Sequence, residues 1–167
     1  MKDVLPAFLD NELVDVRIRA EAFDFIRDEA VRSRDGKETG GILVGVDDGE
    51  TVEIRCAGGP GPRAIRRADL ISRETAFAQE VVDREWKRDG SDWIGEWHTH
   101  TVGRPLPSKL DRRTYQGIVT AADLEFERFF SLILRANDDS WEDLDIVLWE
   151  IDRQGIRPRS LLVVNVE

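Results

Sequence analysis

The chain has 167 residues and a formal net charge of −10, with 41% hydrophobic and 35% charged residues. A length of this order suits one domain, taken as residues 1–167, that can bury a sizeable core, and the interspersed charges read as a solvated surface rather than disorder. So acidic a surface would repel a phosphate backbone, which argues against a nucleic-acid partner unless Arg63, Arg66, Arg67, Arg112 and Arg113 formed a local basic patch.

The segment Met1 to Pro6 has no basic region followed by an apolar stretch, and no run approaches the ~20 apolar residues of a membrane span. A cytoplasmic protein with no membrane partner is expected. Val14, Val16 and Ile18 alternate with polar residues and predict a first strand. Ala20 to Ser33 carries Phe23, Ile26 and Ala30 at helical spacing, and Asp35-Gly36 ends that helix. Gly40 to Val46 is an apolar run too short for a helix and reads as a buried strand. Asp48-Gly49 turns the chain into a second strand, Glu50 to Ala57. The lone Cys56 in that strand precludes an intramolecular disulfide and reads as an inert thiol.

Gly58 to Pro62 is a surface loop by composition. Glu74 to Arg88 predicts a helix with Phe77, Val81, Val82 and Trp86 as its apolar stripe. Ser91 to His98 predicts a strand ending at the first histidine, Thr99 to Pro107 a loop, and Pro107-Ser108 the start of a helix running to about Leu124. Phe129 to Ala136 and Leu144 to Ile151 flank an Asn137-Asp138-Asp139 turn, and one more strand falls within Ile156 to Val166. The order predicts an α/β (α+β) fold, a mixed central β-sheet flanked by helices.

Both histidines lie in one string, Glu96-Trp97-His98-Thr99-His100, so any imidazole chemistry happens there. If Trp93 to His100 is extended, His98 and His100 point to the same side. Zinc takes nitrogen and carboxylate ligands at ~2.0–2.2 Å, and catalytic sites keep three protein ligands. Asp111, returned by the loop and the first helical turn, is the natural third. Taken separately, two nearby histidines are often ordinary side chains, and Ser108-Lys109-Leu110-Asp111 also fits a helix capping box. Glu38, before Thr39-Gly40-Gly41, could be a surface carboxylate. A zinc site does need a base for its water, however, and Glu is the usual choice. The two glycines allow close backbone approach, to the site or to a helix. The spacing alone does not bring Glu38 to the histidines.

The set Glu38, His98-Thr99-His100 and Ser108-x-x-Asp111 resembles the JAMM motif of the JAB/MPN/Mov34 metalloprotease family. Glu38 to Gly45 is similar to that family's Glu strand, Gly95 to His100 to its histidine strand, and Pro107-Ser108 also matches. The family commonly has Pro after the second histidine, where this chain has Thr101, which alters the loop beside the substrate groove. The resemblance implies a single JAB/MPN domain of cytidine-deaminase-like architecture, with one Zn2+ held by His98, His100 and Asp111. It also implies that Glu38 is the general base and that Ser108 stabilises the oxyanion. The implied reaction is hydrolysis of a peptide or isopeptide bond after the C-terminus of a ubiquitin-like protein.

The single-domain build and the Glu-Trp-His-Thr-His string look most like bacterial peptidases of type II CBASS antiphage systems. There the implied substrate is the conjugated C-terminal tail of a cGAS-like nucleotidyltransferase or a ubiquitin-like modifier, with E1- and E2-like proteins of the same operon as further partners. Arg63, Arg66 and Arg67 are candidates to grip an acidic partner tail, with plain solvent exposure as the alternative. Two other readings stay open: a catalytically silent MPN scaffold, and a RadC-like DNA-associated JAB protein, against which the net charge argues. A nucleoside deaminase would need a Pro-Cys-x-x-Cys pair, which one cysteine cannot supply.

Overall fold

The computed structural model describes residues 15–137 and 140–166. In chain order the elements are β1 (Asp15–Arg19), α1 (Ala20–Arg32), β2 (Gly40–Asp47), β3 (Thr51–Ala57), β4 (Ile65–Arg67), β5 (Leu70–Ser72), α2 (Thr75–Asp89) and β6 (Asp92–His100). They continue as α3 (Lys109–Thr120), β7 (Arg128–Asn137), β8 (Ser140–Asp152), β9 (Gly155–Arg159) and β10 (Leu161–Val164). Eight strands form one mixed sheet in the order β10-β1-β3-β2-β6-β7-β8-β9, and β4 and β5 form a separate hairpin. The expected mixed sheet with flanking helices is what the chain builds.

Alternation along the strands assigns each helix to a face. Leu43 of β2 and Phe130, Leu132 and Leu134 of β7 pack with Ala22 and Ile26 of α1. Their neighbours turn the other way: Ile42 and Val44 meet Val81 of α2, and Phe129 and Ile133 meet Tyr115 and Val119 of α3. The central strands are thus covered on both faces, which is why β2 and β7 read as apolar runs instead of clean alternation. Val14 of the predicted first strand lies outside the described residues, as do Asp138 and Asp139 of the predicted turn.

Several boundaries moved, each for a local reason. The strand expected to stop at His98 continues to His100, because β7 pairs with it in parallel through His100↔Arg135. α3 ends at Thr120 instead of Leu124, with Ala121 already extended at φ −70°, ψ 115°. Trp86, expected in the stripe of α2, is 59% exposed, leaving Val81 as the buried anchor. The last segment makes two strands, with β9 pairing antiparallel to β8 and β10 crossing to pair parallel to β1. The β4–β5 hairpin was not anticipated, since three residues per strand are too few to show a period.

Gly40 makes the expected close approach to the site strand, and neither glycine meets a helix. A Cβ on Gly40 would lie 2.4 Å from the Trp97 carbonyl oxygen and 2.8 Å from the His98 Cβ, and one on Gly41 1.7 Å from the Gly58 carbonyl oxygen. They let β2 lie close against β6 and the loop after β3, where the Trp97 indole N–H donates to the same Gly58 oxygen at 2.9 Å. No described helix is long and apolar enough to cross a membrane.

Candidate active site

β6 carries the site because its even-numbered residues share one face. His98 and His100 are both buried, and their Nε2 atoms are 3.0 Å apart. Each ring is held from behind by its other nitrogen. His98 Nδ1 lies 3.0 and 3.1 Å from the two Glu96 oxygens, and His100 Nδ1 lies 3.0 Å from the Arg104 carbonyl oxygen. Those partners accept hydrogen bonds, so both Nδ1 atoms carry the proton and both Nε2 lone pairs face one point. Two lone pairs this close repel unless a cation, whether a proton or a metal ion, lies between them.

Asp111 closes the cluster from the start of α3. Its Oδ2 is 3.6 Å from His98 Nε2 and 3.4 Å from His100 Nε2. Among the described residues, His98, His100 and Asp111 are the one set of three donor groups grouped tightly enough to share an ion. A tetrahedral ion with bonds of about 2.0–2.1 Å requires ligand atoms roughly 3.3 Å apart, and the three separations here bracket that value. The donor set therefore fits zinc.

The capping box and the cluster turn out to coexist. Ser108 Oγ accepts from the Asp111 backbone N–H at 3.1 Å, and the Ser108 N–H donates to Asp111 Oδ2 at 2.6 Å. The cap aims the carboxylate, and the same Oδ2 faces the histidines. Ser108 Oγ uses only a lone pair in this arrangement, so its hydroxyl proton is available to another acceptor.

Glu38 reaches the cluster through strand register. β2 and β6 pair antiparallel with Gly40 opposite His98, and continuing that register places Glu38 opposite His100. The Thr99 N–H donates to the Thr39 carbonyl at 2.8 Å, and the Thr39 N–H to Thr99 Oγ1 at 3.0 Å, which carries the pairing past the end of β2. The β4–β5 hairpin clamps the other side: the Glu38 N–H donates to the Arg67 carbonyl at 2.7 Å, and Arg66 Nε to the Glu38 carbonyl at 3.0 Å. Burial pushes the Glu38 carboxyl up to about 7; the charges of His98 and His100 oppose that rise, and Asp111 and Asp69 add to it.

Burial is also the largest single influence on the other ionisable members, but here their partners outweigh it. Glu96 is held at about 2, chiefly by the charge and hydrogen bond of His98, with Arg73 and Ser131 assisting. His98 is lifted to about 10 by Glu96 and Asp111. Asp111 is held well below the usual carboxylate range by hydrogen bonds from His100 and His98.

The arginines proposed to grip a partner tail are mostly committed inside the chain. Arg66 binds both Asp35 oxygens at 3.0 Å, besides the Glu38, Ser33 and Lys37 carbonyls, and Arg63 pairs with Glu74 at 2.8 Å. Arg112, a candidate only for the basic nucleic-acid patch, donates to the Pro107 carbonyl at 3.3 Å. Cys56 is half-buried, and burial raises its thiol, so it stays protonated as expected of an inert cysteine.

Sequence reasoning missed Glu96, Tyr115, Ser131 and Arg73, which meet at one buried point behind His98. Two signals were present. Glu96 stands two residues before His98 on the same strand face, and Ser131 interrupts the apolar run Phe129 to Leu134.

Comparison with known proteins gives three kinds of likeness. The solution structure of protein DSY2949 from Desulfitobacterium hafniense superposes with a TM-score of 0.67 over 90% of this chain and 94% of that one, at 15% identity, a likeness of fold alone. A CD-NTase/cGAS isopeptidase of Vibrio cholerae serotype O1 is 31% identical over 81 residues, covering 47% of this chain and 52% of that protein. A second CD-NTase/cGAS isopeptidase, from Enterobacter hormaechei, is 34% identical over 96 residues, covering 53% of this chain and 49% of that protein. The matched regions thus span about half the length of these relatives. The sequence profile described as prokaryotic homologs of the JAB domain matches residues 19–162, most of the chain, and the chain belongs to that Prok-JAB family.

Proposed function

We propose that this chain is a zinc-dependent isopeptidase. It hydrolyses the amide bond after the C-terminus of a conjugated CD-NTase or of a ubiquitin-like protein, as one JAB/MPN domain in the bacterial cytoplasm and in the service of antiphage defence. The observation that carries this proposal is the convergence of His98 Nε2, His100 Nε2 and Asp111 Oδ2 at metal-ligand separations, with the buried Glu38 opposite His100. The names of the relatives, CD-NTase/cGAS isopeptidases, support the CD-NTase conjugate as substrate.

His98, His100 and Asp111 would hold the ion. When bound, zinc supplies Lewis-acid polarisation of the scissile carbonyl and makes a nearby water more acidic. Glu38, a carboxylate whose proton affinity is raised to about 7, takes the proton of the attacking water and returns it to the leaving amine. The hydroxyl of Ser108 donates to the oxyanion, a contribution that reaches ~3 kcal/mol in comparable sites. Asp111 stays ionised throughout, since the histidines and the Ser108 N–H all stabilise its charge.

The direct test is incubation of the protein with two purified substrates: a CD-NTase whose C-terminal carboxyl is joined to a target lysine, and a ubiquitin-like protein joined in the same way. Release of an intact C-terminus, stopped by a chelator and restored by zinc, is the expected result. No cleavage of either, with tight binding of one, would replace this proposal with a silent scaffold. Cleavage that ignores the chelator would remove zinc from it.

A further inference from the structure

We propose that Glu96 is a positioning residue for the metal centre. Its buried carboxylate fixes His98 in the tautomer and orientation that present Nε2 to the ion, and thereby sets how tightly the ion is held. This inference rests on the zinc-isopeptidase proposal above.

Glu96 is 4% exposed, and burying a carboxylate in a sheet is costly unless every lone pair finds a donor. Here three elements and one loop supply donors. His98 Nδ1 lies 3.0 and 3.1 Å from the two oxygens, and the Tyr115 hydroxyl of α3 donates to Oε1 at 2.9 Å. Ser131 Oγ of β7 donates to the same oxygen, and Arg73, just before α2, donates to Oε2 at 3.2 Å. A carboxylate straddled by so many donors cannot rotate away from His98. Because an ionised carboxylate only accepts, it also dictates where the His98 proton sits.

The two histidines are therefore supported unequally. His100 Nδ1 leans on the neutral main-chain carbonyl of Arg104, whereas His98 leans on a full negative charge. A charged acceptor behind a ligating imidazole raises its basicity as well as fixing its ring, and loss of such a partner typically weakens metal binding about 10–100-fold. Tyr115 and Ser131 lie only 2.6 Å apart, so α3, which also carries Asp111, is tied through Glu96 to the strand that carries the histidines. The ligands from β6 and from α3 are thus placed by one shared carboxylate.

The test compares zinc affinity, by competition with a chromophoric chelator, in wild type, Glu96→Gln and Tyr115→Phe, with the metal-free melting temperature of each as a check on folding. Glu96→Gln keeps an acceptor for the imidazole N–H but removes the charge, and is expected to bind zinc about 10–100-fold more weakly. Tyr115→Phe leaves the carboxylate with one donor fewer and is expected to lose several-fold, so it decides the question if Glu96→Gln does not fold. A purely structural role predicts lower metal-free melting with unchanged zinc affinity in whichever variant folds, and that result would overturn the inference while leaving the metal site standing. Wild type that binds no zinc would overturn both.

Discussion

Replacing Glu38 with Gln is expected to reduce hydrolysis by roughly 10²–10⁴-fold, the usual worth of a positioned acid–base group, while zinc remains bound. The amide keeps the size of the side chain and its place opposite His100, but it cannot accept a proton from water. The pH profile is a second signature of the same group. Burial holds the Glu38 carboxyl near 7 in the metal-free chain, and a bound dication would pull it lower. The base form must be present for turnover, so activity should rise with pH through an acid limb at or below about 7. The residual activity of Glu38→Gln should lack that limb. Rates measured from pH 4 to 9, with zinc content determined on the same samples, decide the matter; full activity in the variant would assign the base elsewhere.

The second large effect is loss of the ion when a ligand is removed. His98→Ala leaves His100 and Asp111 as the remaining donors. Taking one ligand as about a quarter of the ~10–16 kcal/mol that binds structural zinc, affinity should fall roughly 10²–10³-fold, and activity should fall with it. Asp111→Asn is the sharper probe, because the observed cap on α3 and the proposed ligand role of Asp111 can be separated. The Asn oxygen can still accept from the Ser108 N–H, so the cap on α3 should survive with a loss under about 1 kcal/mol. The anionic ligand is gone, and zinc affinity should drop as far as in His98→Ala. Unchanged zinc binding in a well-folded Asp111→Asn protein would reduce Asp111 to a capping residue.

Much of this site is legible in the sequence because strand alternation is a strict rule. Residues two apart on an extended strand face the same way, so His98 and His100 had to converge once Trp93 to His100 was taken as extended. Asp111 was legible through its spacing, since the loop and the first helical turn return it to the histidines. The Ser-x-x-Asp box, which reads in sequence as an alternative, instead coexists with the cluster and aims its carboxylate. Position along the chain could not place Glu38. It arrives opposite His100 through antiparallel register between strands more than fifty residues apart in sequence, and resemblance to a family motif stood in for that step. The hairpin that clamps Glu38 was invisible, because Ile65–Arg67 and Leu70–Ser72 are too short to show periodicity. Arg66 illustrates the converse error. A basic residue in a loop reads as free to meet a partner, and only the fold brings it to Asp35 and to the Glu38 carbonyl. Glu96 was within reach by the same alternation that paired the histidines, but a charged residue beside a motif reads as surface until Tyr115 and Ser131 are seen to enclose it.

The most direct test of the central claim is the metal content of the wild-type protein, purified without chelators or a metal-affinity tag and measured by elemental analysis. About one zinc per chain, removed by a chelator and taken up again at the same stoichiometry, is the predicted result. Protein that is folded yet holds no zinc, and takes up none when zinc is offered, would contradict it, because His98, His100 and Asp111 would then be held together by a shared proton alone.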